Sequence, residues 1–156
     1  MMKLPLKKIF RFKGGRAGNS MLEFALGSSL FLAAFAGTFE FGYTFYQYNS
    51  LQTAVSDGAR YASLQPYDSS TTTPSSSFLT KVQNMVVYGN PSGGTSAIAP
   101  NLATSNVNLT VTFTNSVPSA ITVYISGYAI DAIFATTTLS TKPKVTYPYV
   151  GVYSPY

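Results

Sequence analysis

Residues 24–39, FALGSSLFLAAFAGTF, carry no charge and no amphipathic period, so a helix over them is apolar on every side. At 1.5 Å per residue the run rises about 24 Å, slightly short of a hydrocarbon core of about 30 Å. Apolar character resumes after Glu40 with FGYTFY, and residues 21–46 make a span of sufficient length with Glu23 and Glu40 toward its two ends. Carboxylates placed there cost less than at the bilayer centre, where the penalty is roughly 2.5–3.5 kcal/mol. Phe39, Phe41, Tyr43, Phe45, Tyr46 and Tyr48 crowd the far end, as an aromatic belt does where a helix leaves lipid. The helical pattern then continues through QYNSLQTAVSDGARYASL. Leu51, Ala54, Val55, Gly58 and Ala62 follow i, i+3, i+4, i+7, i+11 spacing and share a face. Nothing interrupts it before Gln65-Pro66. The spacing predicts one continuous helix over residues 19–64, about 45 residues and near 65 Å long.

Downstream the pattern changes. Residues 65–77 are a Ser/Thr/Pro linker without apolar spacing. Leu79, Val82, Met85 and Val86 mark a short amphipathic helix stopped by Gly89-Asn90-Pro91. Residues 91–106 read as a Gly/Ser/Ala-rich loop. VNLTVTFTN then alternates strictly, with Val107, Leu109, Val111 and Phe113 on one face, which predicts a strand. Ile121, Val123 and Ile125 alternate in a second. Residues 128–135 are ambiguous in pattern and open to a helix. The tail alternates at Val145, Tyr147 and Tyr149, but its prolines confine it to a sheet edge. The fold class is therefore α+β: a long N-terminal transmembrane helix continuing into a small head, residues 78–156, of two or three antiparallel strands packed on the helix. A head this small has a thin core and leans on the long helix or on partners for stability.

Composition removes most chemistry. The 156 residues include no Cys and no His, so disulfides, thiolate nucleophiles, the Ser-His-Asp triad and most zinc sites are excluded. Of five acidic residues, Asp131 with Lys142 or Lys144 makes the best hydrolytic set, and a poor one. The reading is a non-enzyme with no cofactor and no metal. The sequon at Asn108 falls mid-strand and is a chance match.

Charge is equally local. Lys3, Lys7, Lys8, Arg11, Lys13 and Arg16 are six of the ten basic residues and all precede Gly18. The remainder carries four basic against five acidic residues. A basic cluster directly before an apolar run marks a cytoplasmic flank rather than a nucleic-acid site. Ala25, Ser29, Ala33 and Gly37 recur every fourth residue, a stripe of small side chains along which another helix can approach closely.

Two processing signals compete. Ala34-Phe35-Ala36 has the A-x-A form of an ordinary signal-peptide site, which would yield a secreted or membrane-anchored surface protein with an adhesin-like head. Against it, a carboxylate opens the apolar region and the helix pattern continues past Gly37. The alternative rests on resemblance. RAGNSMLEFAL, with a basic leader ending in Gly and Glu five residues on, resembles the class III signal of type IV pilins and pseudopilins.

Three ordered motifs narrow this: Glu23-Phe24-Ala25-Leu26, Glu40-Phe41-Gly42, and Asp57-Gly58-Ala59-Arg60-Tyr61-Ala62. Together they are similar to the TadE-like minor pseudopilins of tight-adherence (Tad) pilus systems. The resemblance implies a pilin-like fold, a basic prepilin leader over residues 1–18 and cleavage after Gly18. Asn19 becomes the N-terminus, and Glu23 pairs with its free α-amino group during assembly. Where the family usually carries further Ala, this chain has Asn19, Ser20, Met21 and Leu22. Glu40 is open to a neighbouring protomer, to an interface or to lipid headgroups. Asp57 and Arg60, three apart, can pair for a few tenths of a kcal/mol. Gly58, costly in mid-helix, points to a close backbone approach. The implied partners are other pilins and pseudopilins, the assembly platform, the prepilin peptidase and membrane lipid. The implied location is the bacterial cytoplasmic membrane, single-pass, with the head outside and possible incorporation in an extracellular pilus.

Overall fold

A computed structural model describes residues 16–155, with side chains from Gly18 onward. The leader's basic residues Lys3, Lys7, Lys8, Arg11 and Lys13 lie outside the described residues. Helix α1 spans Arg16–Leu64, 49 residues without a break. The chain divides into two compact units, Met1–Phe39 and Glu40–Tyr156.

Among the described residues of the first unit the large apolar side chains are exposed: Leu30 is 74 % and Phe31 70 % exposed. Its polar side chains are turned back on the helix. Ser28 Oγ donates to Ala25 O at 3.1 Å, Ser29 Oγ to Leu26 O at 2.9 Å and Thr38 Oγ1 to Ala34 O at 2.9 Å. The hydroxyls thus bring no unpaired donors into an apolar surrounding.

The second unit is built on the rest of α1. Leu51, Ala54, Val55, Ala59 and Ala62 are buried, the face that the spacing predicted, with Ala59 added beside Gly58. Helix α2 spans Ser76–Tyr88 and buries Phe78, Val82, Val86 and Val87. Ser75 caps it by accepting the Phe78 N–H, and Gly89 ends it in the left-handed region at φ 69°, donating to Met85 O at 3.0 Å.

Strands β1 (Val107–Thr114), β2 (Val117–Ile125) and β5 (Lys144–Pro148) form an antiparallel sheet in the order β1-β2-β5. Asn115 and Ser116 join β1 to β2 at φ 53° and 62°, the two positive angles a tight hairpin needs to match strand twist. In register, Val111 faces Ile121 and Val123 faces Val145. As the prolines required, β5 takes an edge.

Three segments differ from their sequence pattern. Residues 128–135, left open toward a helix, form strand β3 (Tyr128–Asp131) and a hairpin tip, and β3 pairs antiparallel with β4 (Thr136–Leu139), where no strand was expected. Tyr128 and Ile130 alternate into the core, but four residues are too few for a period to declare itself. The loop of residues 91–106 contributes Ala99 and Leu102 to the core and ends in a 3-10 turn at Thr104–Asn106. Within the Ser/Thr/Pro stretch, Tyr67 is fully buried and packs edge-on against Phe78, Phe113 and Tyr149.

The C-terminal tail closes over the end of α1. Val150 N donates to Ser63 O at 3.0 Å, while Tyr67 N donates to Val152 O at 2.9 Å and Ser154 N to Tyr67 O at 3.0 Å. The Tyr149 hydroxyl lies 3.0 Å from Gln65 O and 2.8 Å from Val152 O, and accepts from Tyr67 N at 2.9 Å.

Candidate functional site

Gly18 and Asn19 lie in the first turns of α1, Gly18 with open space around its Cα. Asn19 Nδ2 donates to Glu23 Oε1 at 3.1 Å, one turn on. The helix sets that spacing, since residues four apart are neighbours on its surface. The small side chains Ala25, Ser29, Ala33 and Gly37 are all exposed, and a Cβ at Gly37 would meet nothing. Ala34-Phe35-Ala36 sits inside unbroken helix.

At the start of the second unit, Glu40 holds a loop. Its Oε2 accepts the backbone N–H of Ile133 at 2.8 Å and of Phe134 at 3.1 Å, and its Oε1 accepts that of Ala135 at 2.9 Å. These residues are the tip of the β3–β4 hairpin, where Ala132 N donates to Ala135 O at 3.1 Å. Three charge-assisted bonds thus converge on one carboxylate within the chain itself. The motif's other members are open to the surroundings. Phe41 is exposed and stacks on Phe45 with ring centroids 6.2 Å apart, and nothing lies within 4 Å of a Cβ at Gly42.

The third motif divides by face. Gly58 is buried, and a Cβ built on it would collide with Val86 Cγ2 of α2. Ala59 and Ala62 are in the core, and Tyr61 packs against its edge. Asp57 and Arg60 are both exposed and, among the described residues, form no ion pair. What sequence reading missed is Gln47, buried between Tyr46 and Tyr48 of the aromatic cluster. The Tyr128 hydroxyl lies 3.2 Å from Gln47 Oε1 and 2.7 Å from Pro100 O. A single amide in an apolar, aromatic stretch was its only signal.

The hydrolytic set offered by the sequence does not assemble among the described residues. Asp131 is exposed and accepts from Thr136 Oγ1 at 3.0 Å, so the structure does not bring it to Lys142 or Lys144. Among the described residues, no three His, Cys, Asp or Glu come together as metal ligands. The cavity beside the end of α1, of about 180 Å³, is lined by Tyr61, Asp68, Ser77, Phe78 and Lys81, and the Ser77 hydroxyl makes no hydrogen bond to Asp68 or Lys81 there. Burial raises the hydroxyls of Tyr67, Tyr128 and Tyr149 above the ordinary phenol value of 10.0, which keeps them neutral donors.

A comparison with protein families falls on the long helix. Residues 18–60 match the TadE-like protein family. The match opens at Gly18 and closes at Arg60, so it takes in Glu23, Glu40-Phe41-Gly42 and most of the third motif. Neither the curated proteins nor the solved structures contain a match to the chain. A TadE-like segment indicates a Tad-pilus-associated protein, of a family whose members are in general structural rather than enzymatic. The TadE-like helix is also the one helix among the described residues long and apolar enough to cross a membrane.

Proposed function

We propose that the chain is a minor pseudopilin of a Tad-type pilus: single-pass, N-terminus cytoplasmic, cut after Gly18 by a prepilin peptidase, and structural. The observation that carries this reading is the placing of Glu23 one turn from Asn19, at the head of an uncharged run, residues 24–39, whose large apolar side chains are exposed. Removal of residues 1–18 makes the α-amino group of Asn19 a cation at the helix start. A carboxylate in lipid needs such a partner, because an unpaired buried charge costs more than any neutral contact returns. Glu23 then acts as a register device, paired with an α-amino group within the assembly. The stripe of Ala25, Ser29, Ala33 and Gly37 gives other pilins a surface for close helix approach.

The test is the N-terminal residue of the protein isolated from its native membrane, read by mass spectrometry. Asn19 is the expected start. A start at Gly37 would make it an exported soluble head without Glu23, and an intact Met start would leave a plain membrane anchor. Either result overturns the reading. A Glu23→Ala chain is expected to be processed but to fail in piliation.

A further inference from the structure

The β3–β4 hairpin ends in two adjacent apolar side chains, Ile133 and Phe134, that are 63 % and 70 % exposed. A flexible tip would present its own N–H groups to the surroundings as well. This one does not. The N–H groups of Ile133, Phe134 and Ala135 are all taken by the Glu40 carboxylate, and that of Ala132 by Ala135 O. Between Asp131 and Lys142 the sequence carries no charge. The tip is therefore an uncharged turn whose consecutive donors are paired, displaying Ile and Phe side by side.

We propose that this tip is a second membrane contact: Ile133 and Phe134 enter the headgroup region of the bilayer that the apolar helix crosses. Three observations favour lipid as the occupant. Glu40, which grips the tip, follows directly on the apolar run of residues 24–39, so the tip is tied to the residue at which the chain leaves that run. Exposed aromatics of the same unit, Phe41, Phe45 and Tyr46, are of the kind that gather at membrane interfaces. Paired N–H groups remove the penalty that excludes irregular backbone from lipid, several kcal/mol for each unsatisfied group. The carboxylate thus fixes the tip and pairs its N–H groups at headgroup level, where a carboxylate costs less than at the bilayer centre. The head is held at the membrane by a helix and a loop rather than by a helix alone.

The proposal rests on the reading of α1 as membrane-crossing, and its test separates the two. The chain contains no Trp, so one introduced indole is an unambiguous reporter. Phe134→Trp and, separately, Phe31→Trp place it at exposed positions that tolerate the larger ring. Each full-length variant is reconstituted into phosphatidylcholine vesicles with and without bromines high on the acyl chains. Bromine is expected to lower the indole emission of the Phe134→Trp variant at least about twofold, and that emission is expected to lie to the blue of a free indole in water. A Phe134→Trp reporter open to acrylamide and untouched by bromine, while the Phe31→Trp reporter is quenched, overturns the tip contact and leaves the helix reading standing. Shielding that grows with protein-to-lipid ratio but shows no bromine quenching means a second copy covers the tip, and also overturns it. Failure of bromine to quench the Phe31→Trp reporter removes the membrane helix and the tip contact together.

Discussion

Val86 of α2 occupies the space that a Cβ on Gly58 of α1 would take. The two helices come together at this point because one of them has no side chain there. Gly58 is thus explained by packing inside the head, and Ala59 and Ala62 continue the same buried face. Gly58→Ala gains up to about 1 kcal/mol of helix propensity but forces Val86 or its helix to move, an overpacking cost of about 1–3 kcal/mol. The expected net effect is destabilisation of about 1–2 kcal/mol in chemical denaturation of the full chain in micelles. In a Val86→Ala background the same change should become neutral or stabilising, since the collision is gone. Equal costs in both backgrounds would show that the two side chains are not coupled.

Tyr149 ties the C-terminal tail to the end of α1, and its hydroxyl does so only while protonated. Tyr149→Phe removes the donor reaching Gln65 O and Val152 O and should cost about 1–2 kcal/mol at neutral pH.

Alkali gives a second readout of the buried tyrosines. Burial holds Tyr67, Tyr128 and Tyr149 above 10.0 in the fold, whereas in the unfolded chain they ionise near that value. The folded state therefore binds more protons above about pH 10, and stability falls as pH rises from there through the folded values. Below that window the contribution is complete. Thermal midpoints should be flat on this account from about pH 8 to 9 and drop beyond about 10. The difference between wild type and Tyr149→Phe should shrink in the same range, because the wild-type hydroxyl loses its proton there.

How much of this was legible depends on how far each feature reaches along the chain. The face of Leu51, Ala54, Val55 and Ala62 could be read because a helix writes its burial at fixed local spacing. Strands β1 and β2 were long enough to alternate visibly. Hairpin β3–β4 was not, with four residues in each strand. Tyr67 stood alone among Ser, Thr and Pro, and its burial depends on Phe78, Phe113 and Tyr149 arriving from three other elements. The Glu40 site joins residues 93 to 95 positions apart, which no local pattern records. The motif marked Glu40 as unusual, and only the fold supplies the atoms that it binds.

Ser75 links a cap to a half-buried carboxylate. It accepts the Phe78 N–H at 3.2 Å and donates to Asp68 Oδ2 at 2.8 Å, while Asp68 Oδ1 is buried without a partner. Ser75→Ala removes the cap and the carboxylate's donor together, so its cost should exceed the roughly 1 kcal/mol of an ordinary N-cap loss. In an Asp68→Ala background the loss should fall back toward that figure. An unchanged cost would mean that the Asp68 bond adds nothing.

Glu40→Ala deprives three consecutive amides of their acceptor at once. Hydrogen exchange of the full chain in micelles should then accelerate at Ile133, Phe134 and Ala135 by about tenfold or more, because each loses a charge-assisted bond worth about 1.5 kcal/mol or above. Ile121 and Val123, in the middle of the sheet, should keep their protection, since the hairpin adds little to the core there. Glu40→Gln retains one acceptor oxygen and should fall between the two. The monomeric chain is the informative sample. If Glu40 served only a neighbouring protomer, its removal would leave exchange at the tip unchanged in the monomer and alter it only on assembly. Faster exchange without assembly instead assigns the carboxylate to the fold of its own head, and makes that fold the first requirement the Glu40-Phe41-Gly42 motif meets.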